Sequence, residues 1–420
     1  VKDAAGATST ATVTVSINGA NDAPVISGGT TNGLTEDTGA ILTDALKFNY
    51  ADADGHAQAG VIFTELPDAA KATLRLDGVA ITANTLVTIA DINAGKVVLQ
   101  PAANFFGAVE VKFKAVDSGA TNNESAVVTS TFNFNSVNDA PVITTSSTAR
   151  SYTEDATAIA ANDTLTLSDF DSANLTGATV QITTGLTTGD VLGFTNANGI
   201  TGTYDAATGK LTLSGSATVA QYEAALRSVT YSSTSDNPTA TSATRTLSWQ
   251  VNDGASASNL SNTGTSTINV TATNDAPVVT GSTTNNLNED TTYFVTSALK
   301  NQFSDVDGHT QTGAIITELP NASTGVLELT GQPLQVGTMI TIADIEANKV
   351  VLRPAASYVG PVVFKFKAVD TGTDNNESSV VTVTFNFVNV NDAPVITTSS
   401  TARSYTENSS AIAANDEITL

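Results

Sequence analysis

The chain is 420 residues long, with Asp plus Glu 41 against Lys plus Arg 17, a formal charge of −24 and no cysteine. That balance argues against nucleic acid or an anionic membrane surface as a direct partner and favours divalent cations, or solubility at high local concentration. The missing cysteine removes disulfides, thiol nucleophiles and thiolate metal sites. The length calls for several domains, no 18-residue apolar run is present, and Thr, Val, Ala, Asn, Ser and Gly dominate, a composition of strands and turns.

Residues 1–20 read as the last hairpin of a preceding repeat. Thr10, Thr12, Thr14 and Ser16 alternate with Ala11, Val13, Val15 and Ile17, the period of a half-buried strand. Val1 opens inside this strand-like stretch with no leader before it, which reads as an excerpt of a longer chain. The tetrapeptide Asn-Asp-Ala-Pro then occurs four times, at Asn21–Pro24, Asn138–Pro141, Asn274–Pro277 and Asn391–Pro394. The intervals are 117, 136 and 117 residues, so two kinds of repeat alternate within a larger unit of 253. Proline fixes its own φ and pushes its predecessor to an extended form, so each copy is a short, stiff hinge.

The first A repeat, 21–137, opens with Gly33–Thr38 (GLTEDT) and has an Asp-rich turn at Ala51–His56 (ADADGH). Thr88 and Asp91 have capping-box spacing ahead of one helical turn. In Val109–Gly119, Val109, Val111, Phe113 and Ala115 face one way and Glu110, Lys112 and Lys114 the other, a strand ending at Asp117. The first B repeat, 138–273, opens with Ser151–Ala156 (SYTEDA), places Asp169 and Asp171 in its own turn, and starts a short amphipathic helix at Thr218. Strands follow at 228–232 and 245–252, then Asp253. The second A repeat, 274–390, matches the first without a register slip: Glu36, Asp52, Asp91 and Asp117 reappear as Glu289, Asp305, Asp344 and Asp370. Residues 391–420 begin a second B repeat, whose Asn391–Glu407 repeats Asn138–Glu154 letter for letter. Seven or more short strands per repeat, with frequent turn signals, predict an all-β chain of tandem antiparallel β-sandwiches. Each would be roughly 35–45 Å long, in a linear rod.

The joint tetrapeptide, the Thr-Glu-Asp segment, the Asp-x-Asp turn and the late aspartate together resemble the calcium-binding scheme of cadherins. They resemble equally the cadherin-like and Ig-like repeats of large bacterial surface adhesins of the VCBS and RTX types. Residues 1–20 are similar to the closing strand of VCBS-type repeats. The resemblance implies Ca²⁺ ligands at every joint: Asn21, Asp22, Asn138, Asp139, Asn274, Asp275, Asn391 and Asp392 in the linkers, and Glu36, Glu154, Glu289 and Glu407 at the first strands. It adds Asp52, Asp54, Asp169, Asp171, Asp305 and Asp307 in the turns, and Asp117, Asp253 and Asp370 late in each repeat. The joint at Asn138 would use Glu36, Asp169, Asp171 and Asp253; the joint at Asn274 would use Glu154, Asp305, Asp307 and Asp370. The linker is shorter than the cadherin one, with Ser136, Ala272 and Asn389 where its first acid stands, which implies fewer ions per joint.

The chemistry of the residues is compatible with that set. Calcium takes six to eight oxygen ligands, and extracellular sites are weak, roughly 10⁻⁴–10⁻³ M. Four or five carboxylates in one joint repel strongly without a cation. A lone Asp-x-Asp is more often a turn than a site, and three copies in register reverse that preference. Asp37, Asp155 and Asp290 are open between ligand and solvated neighbour; Asp91 and Asp344 read as helix caps. His56 and His309, the only histidines, read as loop residues too far apart in sequence to build a zinc centre. Ser297 and Lys300 match a Ser-x-x-Lys pattern by chance, since Asp44 replaces the serine in the first A repeat, and Trp249 reads as core. The expectation is a non-enzymatic, calcium-stiffened stalk of an extracellular bacterial adhesin, contacting neighbouring repeats and supporting adhesion or biofilm formation. The alternative is that one repeat type itself binds a glycan or a protein.

Overall fold

The computed structural model describes residues 1–398 and 401–414. The fold is all-β: strands gather into separate sheets around three apolar cores, with only short helices among the described residues. One core runs from Ile26 to Phe134, the next from Ile143 to Val270, the third from Val279 to Phe387. They are called the first, second and third sandwich below.

In the first sandwich, Gly107–Asp117 buries Val109, Val111, Phe113 and Ala115. Its other face offers Lys112 to Glu65 at 2.7 Å and Lys114 to Glu124 at 3.1 Å. The alternation therefore sets the face, as a period of two must. This strand is the middle of a five-stranded sheet in the order Thr30–Thr35, Val128–Asn135, Gly107–Asp117, Gln58–Glu65, Leu86–Thr88. A four-stranded sheet of Ala40–Ile41, Val97–Pro101, Ala72–Leu76 and Val79–Ala80 closes the core. The third sandwich repeats both orders. The second has a six-stranded sheet over a three-stranded one, with a separate two-stranded pair of Val142–Thr144 and Thr166–Ser168. Thr88 and Thr341 cap their helical turns by accepting from the backbone N–H of Asp91 and Asp344. Thr218 and Gln221 form a full reciprocal box ahead of the helix Val219–Arg227.

The sandwiches are not purely antiparallel. In each, the first strand pairs parallel with the last: Thr30–Thr35 with Val128–Asn135, Arg150–Thr153 with Gly264–Thr271, and Ser282–Asn288 with Val381–Val388. Antiparallel neighbours would bring both ends of the unit to the same side. Parallel first and last strands put the incoming and outgoing chain at opposite ends. They also set the end of the first strand beside the end of the last, with Thr35 opposite Asn135 and Thr153 opposite Thr271.

The second sandwich holds a buried polar chain. Arg245 and Asp190 are fully buried, with Arg245 Nε donating to Asp190 Oδ2 at 2.6 Å. Arg245 also donates to the carbonyls of Ser242 at 2.6 Å and Pro238 at 2.5 Å. Tyr231 donates to Asp190 Oδ1 at 2.7 Å, and burial pushes its hydroxyl well above its ordinary pKa, so it stays a donor. Tyr152, from the first strand, packs edge-on against Tyr231 at 5.2 Å.

One expectation fails. The alternating stretch 10–17 forms no strand, and Val13, Val15 and Ile17 are 74–89% exposed. Alternation supplies a face to bury, but a strand also needs a ladder partner, and no described segment pairs with it. The described residues after Asn391 form no extended strand.

Candidate metal centres at the joints

The parallel register carries Glu36, Glu154 and Glu289 to the exits of the sandwiches. Glu36 follows Thr35, its backbone N–H bonds to the Asn135 carbonyl, and its Oε1 accepts from Val137 N at 2.7 Å. Glu154 repeats this with Thr271 and accepts from Thr273 N at 2.7 Å. Glu289 does so with Val388 and accepts from Val390 N at 2.9 Å. All three glutamates are buried.

The other groups come from loops at the opposite end of each sandwich. Asn138 Nδ2 donates to Asp253 Oδ2 at 2.8 Å and to the carbonyls of Ala257 and Ser258 at 3.2 Å. Asp139 N donates to Asp171 Oδ1 at 3.3 Å, and Asp169 Oδ1 accepts from Ser172 N at 2.9 Å. The same plan recurs at Asn274, which donates to the Asp374 carbonyl at 2.8 Å while Asp275 N donates to Asp307 Oδ2 at 2.8 Å. At Asn21, Nδ2 donates to Asp117 Oδ2 at 3.1 Å, and Asp22 N donates to Asp54 Oδ2 at 2.7 Å. Gly119 and Gly372 make this nesting possible, since a Cβ there would lie 2.3 Å and 2.2 Å from the Oδ1 of Asn21 and Asn274.

Charge from two sandwiches meets at two joints. Burial first, then Asp37, Glu36, Asp171 and Asp169, holds the Asp139 carboxyl above its ordinary pKa. Burial first, then Asp307, Asp236, Asp155 and Asp305, does the same for Asp275. Burial, opposed in part by the Thr273 hydrogen bond, and then Asp275 and Asp307 raise Glu154. Asp169 is raised chiefly by burial. The structure thus gathers Glu36, Asn138, Asp139, Asp169, Asp171 and Asp253 at one joint, and Glu154, Asn274, Asp275, Asp305, Asp307 and Asp370 at the next. Asn21, Asp22, Asp52, Asp54 and Asp117 form a cluster at the head of the first sandwich. Asn391 and Asp392 are exposed, and Glu289 Oε1 accepts from the preceding Asn389 Nδ2 and Val390 N, each at 2.9 Å.

Ten of these residues keep one oxygen in reserve. Asn21 Oδ1, Glu36 Oε2, Asp52 Oδ2, Asp139 Oδ2, Glu154 Oε1, Asp169 Oδ2, Asn274 Oδ1, Glu289 Oε2, Asp305 Oδ2 and Asp370 Oδ2 are buried without a hydrogen-bond partner. Buried polar atoms are normally satisfied, and each exception calls for a cause. A hard cation fits a donor set made only of carboxylate and amide oxygens. The sequence reading did not select Asp236. It lies in the loop before Thr244–Asn252, whose neighbour Asn237 donates across the joint to the Val306 carbonyl at 3.0 Å. No local motif marks it.

No protein-family model and no curated protein matches the chain. Among solved structures, it is similar to Drosophila N-cadherin EC1-4 at 13% identity, covering 89% of this chain and 76% of that one with a TM-score of 0.30. Protocadherin gamma B7 domains 1-4 align at 14% identity, 92% and 80% coverage and a TM-score of 0.32. Human CDH23 EC21-23 aligns at 13% identity, 84% and 100% coverage and a TM-score of 0.29. No described helix is long and apolar enough to cross a membrane.

Proposed function

We propose that this chain is a stalk segment of a large secreted bacterial surface adhesin. Its repeats divide at the Asn-Asp-Ala-Pro tetrapeptides, as 21–137, 138–273 and 274–390 with a further repeat begun at 391, and Ca²⁺ stiffens the joints. The observation that carries the reading is the set of buried, partnerless oxygens contributed to one place by two successive sandwiches. Around Asn138, Glu36 arrives from below and Asp139, Asp169, Asp171 and Asp253 from above; around Asn274, Glu154 meets Asp275, Asp305, Asp307 and Asp370. Bound Ca²⁺ would supply charge neutralisation between the two bodies. The residues themselves do the rest. The linker Asn ties its amide to the loop, the glutamate ties its first oxygen to the linker backbone, and the remaining oxygens stay aimed at the ion. The role is mechanical and extracellular: a fixed angle between repeats holds a distal binding domain away from the cell.

Small-angle X-ray scattering of the chain with calcium and then with chelator tests this. A long, defined maximum dimension that becomes flexible on chelation supports the reading; coincident profiles refute it. Asp305→Ala with Asp307→Ala should loosen the Asn274 joint alone, and equal loosening of both joints would refute the assignment of ligands.

A further inference from the structure

The two histidines do not sit idle in their loops. His56 gathers with Asp52 and Asp117, and His309 with Asp305 and Asp370; in each group one ligand atom per residue lies within 4.8 Å of the others. The backbone N–H of His56 donates to Asp52 Oδ1 at 2.9 Å and that of His309 to Asp305 Oδ1 at 2.8 Å, so the aspartate shapes the turn that presents the ring. The ring Nδ1 then stands 3.7 Å and 3.8 Å from that same oxygen, too far for a hydrogen bond. Two donor atoms on one first-row ion, each ~2.0–2.2 Å from it, lie at most ~4.4 Å apart, so both separations suit a shared ion. Both Nδ1 atoms are buried without a partner, as are Asp52 Oδ2 and Asp305 Oδ2. The side chains of Asp52 and Asp305 are only 1% and 0% exposed, whereas the imidazoles are 38% and 36% exposed, leaving a path for an ion. His309 and Asp305 also line one open cavity.

Imidazole is a poor ligand for calcium and a good one for zinc, cobalt, nickel and copper. The second sandwich provides the internal contrast. Four residues after Asp169 stands Ala173, so its turn offers oxygen only. We propose that the first and third sandwiches each carry, at the head, a mixed nitrogen–oxygen site for a transition-type divalent cation, with Zn²⁺ the type case. The sites are Asp52, His56 and Asp117 in one and Asp305, His309 and Asp370 in the other. The carboxylates are shared with the calcium reading, so the two ions compete at these heads, while the all-oxygen Asn138 joint stays with calcium. Zinc uptake does not require that calcium stiffen the rod.

The test is titration of chelator-treated chain with Zn²⁺ alone, by calorimetry, and with Co²⁺ alone, by its visible absorption. Two equivalents are expected. His56→Gln and His309→Gln should each remove one, and the double variant should bind both metals at least ten-fold more weakly. The rings are partly exposed, so the variants should keep the parent unfolding temperature, and Ca²⁺ titration of the Asn138 joint should not change. Absence of zinc binding, or zinc and cobalt binding that survives the double substitution, overturns the proposal. Failure of the calcium reading would show separately, as scattering profiles that do not respond to chelator.

Discussion

Seventeen residues occur twice in this chain without a change of letter, at Asn138–Glu154 and Asn391–Glu407, and they come to different ends. In the first copy Ile143 and Tyr152 are 2% and 1% exposed, and Val142–Thr144 and Arg150–Thr153 are strands. In the second, Ile396 and Tyr405 are 62% and 58% exposed, and the described residues form no extended strand. Local propensity is identical, so it does not decide the outcome. Arg150–Thr153 is a strand because Gly264–Thr271 lies beside it, and Glu154 is buried because Thr271 and Thr273 receive it. The Thr-Glu pair is therefore a ligand in waiting: a distant strand makes it part of a site.

Paired substitutions in the two copies sharpen the contrast. Tyr152→Ala removes a buried ring and should cost about 3–5 kcal/mol of stability. Tyr405→Ala in the same letters should leave the urea midpoint unmoved; equal effects would show that the two copies share a fold. A loss of similar size, about 3–5 kcal/mol, is expected for Arg245→Met, which strands Asp190 in the core beneath Tyr231 and Tyr152. Adding Asp190→Leu should recover much of it, which denaturation of the single and double variants will read. Glu154→Gln should weaken calcium binding at the Asn274 joint about tenfold, ~1.4 kcal/mol, while Glu407→Gln changes nothing measurable by calorimetry. The smallest effect is on pH. Glu154, Asp139, Asp169 and Asp275 have raised folded-state pKa values. The folded chain therefore holds protons more tightly than the unfolded one, a contribution present at low pH and lost as pH rises through those values. In chelator, stability should rise as pH is lowered from 7 toward the carboxylate range. Excess calcium should abolish that rise, and an unchanged slope would count against charge crowding at the joints.

What the letters disclosed and what they hid follows from range. The Thr218–Gln221 box, the one-faced strand Gly107–Asp117 and the Asp-x-Asp turns are written within a few residues and could be read directly. The parallel pairing of first and last strands could not, because alternation assigns a face and not a neighbour. Residues 10–17 show the same limit: a flawless period of two, with no sheet to receive it. The Arg245–Asp190 pair did leave a trace. Arg245 shares the inward parity of Leu247, Trp249 and Val251, and a charge in that series demands a buried partner. Which partner was not legible, since Asp190 lies 55 residues away. Each histidine stands four residues after an aspartate, which the letters show, but its second acidic neighbour, Asp117 or Asp370, comes from the far end of the repeat.

The parallel clasp of first and last strands also bears on what happens when the two ends are pulled apart. Tension on a chain leaving from opposite ends runs along both strands. It loads their mutual hydrogen bonds sideways and together, as in a lap joint, and does not peel them one at a time. Each sandwich would then give way in a single event at high load, and forced unfolding is governed by that kinetic barrier. A force-extension trace should show discrete steps of whole-sandwich size; a gradual yield would mean that the ladder unzips from one end.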